Sequence, residues 1–417
     1  MSYPQKSLKV TTQHTAAKQQ VKKKLVVEQG HALRAEKLIH VDTISETITR
    51  LLSDLEDLNV IHQKLGADKF YFIMLENSMS EFLLERLSIF AEQYPTLFQQ
   101  TIFCGWLSLL IARELELDAQ TAKNVFIASM ARDIGLLYLP VKLLDDTAAF
   151  DANDWNAMRT HPLIGEIMLR DVAKYPEEIC LAVRDHHERF DGSGYPQSKK
   201  GNDISVTGQI IGIADTVTAI RFKKFGRSGR NLRDTFHFIL MGKNSFNTDV
   251  TKALTNILTK SGIKKSTINP FDTLNQLISH LYVRAAAMNG SIYMLEKLPD
   301  LLVFFDKGPK KKELGLAVKK IQTIIDQSGI LDEAMLSWLN NMEKNFDENK
   351  VNLEELSEME LLQNELYWHL KRIYDLLLSF HDFEMNKANR TAPAISTILK
   401  CLSDNNLPKT AKYPNMN

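Results

Sequence analysis

Strand patterning is almost missing from this chain. Between Thr96 and about residue 260 apolar runs alternate with short polar turns, alternating β-branched stretches are rare, and Gly and Pro are sparse outside 185–230. A chain written this way buries its apolar surface by packing helix on helix, so an all-α fold is expected. The flanks carry the same period. Ile44, Ile48, Leu51, Leu52 and Leu55 fall on one helix face. Met359, Leu362, Leu366, Leu370, Ile373, Leu377 and Phe380 recur at steps of three and four, with charged residues between them. That stripe predicts an amphipathic helix whose ordinary use is a face of an intramolecular bundle, a dimer or partner seam being the alternative.

With 417 residues the chain exceeds the ~100–200 of one domain, so two or three are expected. Residues 1–22, rich in Gln, Lys, Thr and Ser, read as a flexible tail. Residues 23–93 read as an N-terminal helical region, ended by Tyr94-Pro95-Thr96, with Thr96 a candidate cap for the next helix. Residues 94–262 form the central domain, and the turn-rich stretch 261–270 precedes a C-terminal helical domain over 263–402. Residues 403–417 read as a second flexible tail.

Charge excludes some classes of partner. Lys plus Arg and Asp plus Glu both total 51, so no overall field draws the molecule to nucleic acid or an anionic bilayer. The densest basic run, Lys307 to Lys312, is flanked by Asp306 and Glu313 and lacks interleaved aromatics, which reads as a solvated turn. Three dispersed cysteines, Cys104, Cys180 and Cys401, give neither a disulfide framework nor a CxxC zinc knot. The first 24 residues lack the apolar centre of a secretion signal, and no apolar run approaches the ~20 residues of a membrane span. A cytoplasmic location without a membrane span is the expectation.

The sequence feature that bears on chemistry is His186-His187-Glu188-Arg189-Phe190-Asp191-Gly192-Ser193-Gly194-Tyr195-Pro196. Two adjacent imidazoles enter a turn in which two glycines permit positive φ and a proline fixes the exit, an arrangement suited to a metal-site loop. His161-Pro162-Leu163-Ile164-Gly165 and Arg132-Asp133-Ile134-Gly135 precede it, and Ile213-Ala214-Asp215 follows. Singly each is weak: His161 would be a helix-start or core histidine and Asp215 a helix cap. Their order and spacing together resemble the HD-GYP family, bacterial metal-dependent phosphodiesterases that open cyclic di-GMP, over roughly residues 90–260.

The resemblance implies an HD-domain helical core with flanking helical regions, and places the ligands one at a time. Asp133, His161, His186, His187 and Asp215 stand at metal-ligand positions. Two histidines of the pattern are missing: Gln100 stands at the first and Arg132 at the His of the His-Asp pair. The motif lysine has become Leu136, and Thr218 replaces a later aspartate. Tyr195, with Lys224 and Arg227 in a basic turn, falls where the family binds substrate.

By the resemblance both missing histidines serve one metal position, which keeps only Asp133 and Asp215. A guanidinium neither deprotonates nor ligates, so Arg132 is expected to neutralise the two aspartates in the ion's place. The other position keeps enough N and O donors for Mn, Fe or Zn, giving one divalent ion or none rather than two. The leading expectation is a degenerate HD-GYP protein of cyclic di-GMP-related signalling with weak or no hydrolysis. It would act by binding the nucleotide, or a protein partner through the Gly194-Tyr195-Pro196 loop or the C-terminal helices. One alternative is an active phosphodiesterase, in which Asp133 and Arg132 are catalytic and Arg132 stabilises the phosphoryl oxygens. A second is a helical scaffold that binds neither metal nor nucleotide.

Overall fold

The computed structural model describes residues 35–144, 152–226, 228–295, 309–328, 330–346 and 351–385, with single positions 396 and 400. The two expected tails, Cys401, Arg227 and the Lys307-Gly308 end of the basic run lie outside them, as does the Phe380 side chain. All regular structure among the described residues is helical, with no strand among them.

Four helices, α1 (Val41–Asp54), α2 (Glu56–Lys64), α3 (Asp68–Ser78) and α4 (Glu81–Gln93), lead into the long α5 (Pro95–Glu114) and α6 (Ala119–Ala131). Pro95 stands in the first turn of α5, where its missing N–H costs nothing, and Tyr94 is the residue before it. Thr96, expected as the cap, is therefore already inside the helix. A side-chain cap does start α6: Asp118 accepts from the backbone N–H of Gln120 and Thr121, both at 3.0 Å.

The apolar positions of α1 to α3 enter the same core as α5, α6 and the later helices, a continuous cluster running from Ile44 to Leu258. Packing thus leaves no break at residue 93, where the sequence suggested a boundary, because α1 and α4 lie directly on α5. A buried polar tie reinforces this: the Trp106 indole N–H donates to His62 Nδ1 at 3.0 Å, and His62 Nε2 lies 2.5 Å from Asp68. By length and composition α5 alone among the described helices could cross a membrane, but 78% of that window is buried inside the fold.

A 3-10 turn (Ile134–Tyr138) follows α6, then α7 (Ala152–Met158), α8 (His161–Ile167), α9 (Glu177–Asp185) and α10 (Val206–Ala219). A second cluster, with Ile134, Ile164, Leu169, Val183 and Ile211, holds these together. Helices α11 (Thr235–Met241) and α12 (Thr248–Lys260) close this part of the molecule.

The chain from 261 to 273 carries no helix, and beyond it α13 (Leu274–Leu295), α14 (Pro309–Ser328), α15 (Glu333–Lys344) and α16 (Leu353–Met385) build a separate core. Leu366, Leu370, Ile373 and Leu377 are buried in it, so the apolar stripe of α16 serves an intramolecular bundle. Its opposite, polar face meets the central part. Arg230 donates to Glu360 at 2.8 Å and to the Ser357 carbonyl at 3.0 Å, and Lys265 pairs with Glu358 at 2.6 Å. Only a small apolar cluster of Ile220, Phe225 and Leu361 accompanies these contacts.

Candidate metal centre

The expected ligands come from four separate elements, and local packing explains how they converge. Asp133 ends α6, and Gly135 in the next turn lets that turn lie against α8: a Cβ there would stand 2.0 Å from the His161 carbonyl oxygen. Only glycine permits that approach. His161 opens α8, His186 and His187 follow α9, and Asp215 lies inside α10 rather than capping it. Gly194 folds the loop after the histidines back onto them, since a Cβ there would lie 2.4 Å from the His187 carbonyl oxygen.

His161, His186 and His187 each offer a ring nitrogen within 4.8 Å of the others, a group able to hold a metal ion. Their protonation is set from behind. His161 Nδ1 is 2.8 Å from the Met158 carbonyl and His186 Nδ1 is 2.6 Å from the Val183 carbonyl. A carbonyl only accepts, so each Nδ1 carries the proton and each Nε2 keeps its lone pair. The two Nε2 atoms then face each other at 3.2 Å, with Asp133 Oδ1 3.6 Å from that of His161. Two acceptors in contact repel unless a cation lies between or beside them. Burial pushes the His161 pKa down to about 4, helped by His186, and burial lowers His186 too, so a proton is a poor candidate at neutral pH. A divalent ion suits the donor set.

The other side of the site differs. Arg132, 1% exposed, donates from Nε to Asp215 Oδ1 at 2.9 Å and pairs through Nη2 with Asp133 Oδ2 at 3.0 Å. Its Nη1 donates to the Ser129 carbonyl at 3.2 Å. Burial opposes its charge, but Asp133, Cys104 and Asp215 outweigh that and raise its pKa. Burial likewise pushes the Asp215 pKa up, but Arg132 and His186 bring it below the usual carboxylate range. The guanidinium is therefore a fixed cation between two carboxylates. Gln100 and Leu136, the other replaced positions, are both buried.

Tyr195 is brought to this centre. Its ring stacks on His187, centroids 4.7 Å apart, and its N–H donates to the His187 carbonyl at 3.1 Å. Lys224 is not: its ammonium is ion-paired with Glu365 of α16 and lies 4.3 Å from the Phe238 ring. Two further residues join the site without a role expected of them: Arg159, whose guanidinium stands 5.8 Å from the Tyr195 ring, and Glu188, which accepts the backbone N–H groups of Gln197 and Lys199 and so holds the loop closed. Their nearness to His161 and His187 in sequence was the available signal.

Residues 87–250 match the family model described as HD domain. A cyclic di-GMP phosphodiesterase of Thermotoga maritima is 27% identical over 237 residues, 53% of this chain and 64% of that protein. A 3'3'-cGAMP-specific phosphodiesterase of Vibrio cholerae is 34% identical over 110 residues, 26% of this chain and 20% of that protein. Among solved structures, an HDG"Y"P protein from Bdellovibrio bacteriovorus overlays with a TM-score of 0.37 at 14% identity, covering 52% of this chain and 70% of that one. The chain thus spans less than two thirds of the length of these two curated relatives. Residues 87–250 thus match an HD domain, and the relatives that align with this chain are named as phosphodiesterases of cyclic dinucleotides.

Proposed function

We propose that this protein is a degenerate HD-GYP protein of cytoplasmic cyclic di-GMP-related signalling. It binds the nucleotide beside a one-metal centre and hydrolyses it weakly or not at all. The observation that carries this reading is Arg132, whose guanidinium already satisfies Asp133 and Asp215. A second divalent ion next to that guanidinium would meet a like charge at close range, with both carboxylates engaged.

His161, His186 and His187, with Asp133 beside them, are the residues that would hold one ion. Such an ion supplies a Lewis acid for a phosphate oxygen and lowers the pKa of bound water. The protein's own groups do the remainder. The Met158 and Val183 carbonyls hold the imidazoles in the ligating tautomer. Tyr195, stacked on His187, presents an aromatic edge to the nucleotide, and buried Leu136 offers no cation to its phosphates.

The test is metal content by plasma mass spectrometry together with cyclic di-GMP turnover in added manganese and iron. The natural chain should carry about one ion or none with little turnover, and Gln100→His with Arg132→His should move the content toward two. Two ions and turnover in the natural chain would overturn the reading.

A further inference from the structure

Arginine side chains surround the histidine centre, and they differ in whether the fold uses their charge. Arg132 is held between Asp133 and Asp215. Arg189 donates through Nη1 to the His186 and Glu188 carbonyls at 3.2 and 2.9 Å and through Nη2 to the Thr216 hydroxyl at 3.3 Å. Arg159 is different. Its guanidinium has no ion pair and no hydrogen bond among the described residues; what it meets is the face of Tyr195, 5.8 Å from the ring centroid, and the residue is exposed.

The backbone fixes its place. Arg159 N–H donates to the Trp155 carbonyl at 3.1 Å and Thr160 N–H to the Ala157 carbonyl at 2.9 Å, so the chain closes α7 and turns into His161. Met158, the residue before Arg159, supplies the carbonyl that orients the His161 ring. The same turn therefore aims a metal ligand and carries a guanidinium beside it. From the other side Tyr195 stacks on His187 with centroids 4.7 Å apart, and its hydroxyl bonds to no described residue. Imidazole, phenol ring and guanidinium thus follow one another outward from the buried centre.

The electrostatics of the site leave work for such a group. Arg132 is spent on two carboxylates, Lys224 is turned away to Glu365, and buried Leu136 brings no charge. A cyclic dinucleotide carries two phosphodiester anions, and a single divalent ion can grip one of them. An exposed guanidinium gives up little hydration to meet the other, and its planar fork fits two phosphate oxygens at once.

We propose that Arg159 is the phosphate-binding residue of this centre, taking the phosphodiester that the ion does not hold, at the edge of the Tyr195 ring. It replaces from a different element the cation missing at Leu136. The inference rests on the reading that the centre binds a cyclic dinucleotide, and it adds the residue that grips the anion.

The test is calorimetric titration of the full chain with cyclic di-GMP in added manganese, at low and high salt, with metal content measured alongside. Arg159→Gln should weaken binding by about ten-fold or more and flatten the fall of affinity with salt. Arg159→Lys, which keeps the charge but not the fork, should recover part of the loss. Both variants should match the natural chain in metal content and thermal unfolding, because the side chain makes no bond within the fold. The proposal is overturned if Arg159→Gln binds as tightly as the natural chain, if its affinity falls as steeply with salt, or if Arg159→Lys is no better than Arg159→Gln. It is also overturned if metal content drops with the substitution, which would assign Arg159 to the support of His161. No binding by the natural chain would sink the nucleotide reading and this inference together, whereas binding that Arg159→Gln leaves intact sinks this inference alone.

Discussion

The two halves of the candidate metal centre solve the same electrostatic problem in opposite ways. On one side, His161 and His186 are locked by backbone carbonyls into tautomers that leave two lone pairs face to face, a deficit of positive charge that the protein does not fill. On the other, Arg132 fills it from within the chain, bonding Asp133 and Asp215 together. Asp133 belongs to both halves, 3.6 Å from His161 and 3.0 Å from Arg132. One helix end thus feeds an arrangement that calls for an outside cation and another that excludes one.

The sharpest way to break this contrast is to empty the closed half. Arg132→Met leaves two carboxylates without their partner in a largely buried site, and should cost about 3–5 kcal/mol of unfolding free energy at pH 7. Added manganese should recover part of it, and no loss in urea unfolding would mean the ion pair is not what holds this half together. The open half is tested by acid. His161 titrates near 6.5 when unfolded and about 4 when folded, so below pH 6.5 the unfolded chain binds a proton that the native metal-free chain refuses. Stability is complete above 6.5 and drains as pH falls to 4, by about 3 kcal/mol, with His186 and His187 shifting in the same direction. A flat urea midpoint over that window would count against neutral, buried imidazoles. The smallest effect expected is at the seam. Gly135→Ala meets the His161 carbonyl and should cost about 1–3 kcal/mol while weakening metal retention, read by thermal unfolding and metal content. Equal metal content in that variant would separate His161 from the turn.

Much of this was legible because it is written in local terms. Helical spacing gave the all-α class, and the stripe from Met359 to Leu377 faces a core as its period suggests. The motif order placed Asp133, His161, His186, His187 and Asp215, and the chemistry of a guanidinium between two carboxylates follows from residue type alone. What stayed hidden depends on residues distant in sequence. Lys224 looked like a substrate contact because nothing near it shows that Glu365, far along the chain, will claim it. An amphipathic face likewise announces that it will be buried but not against what, so the entry of α1 to α3 into the central core could not be read beforehand. Thr96 lost the capping place to a single-residue matter: Pro95 is itself comfortable in the first helical turn.

The contact between α16 and the central part has a mechanical meaning. Arg230 with Glu360 and Ser357, Lys265 with Glu358, and Lys224 with Glu365 supply most of its named contacts, and apolar filling is confined to a few side chains. Directional bonds of this kind act as a key in a lock plate, admitting one angle and rejecting the next, whereas an oily interface would let the parts slide. The bundle and the HD segment are therefore built to hold one mutual orientation or to let go of it, with little between.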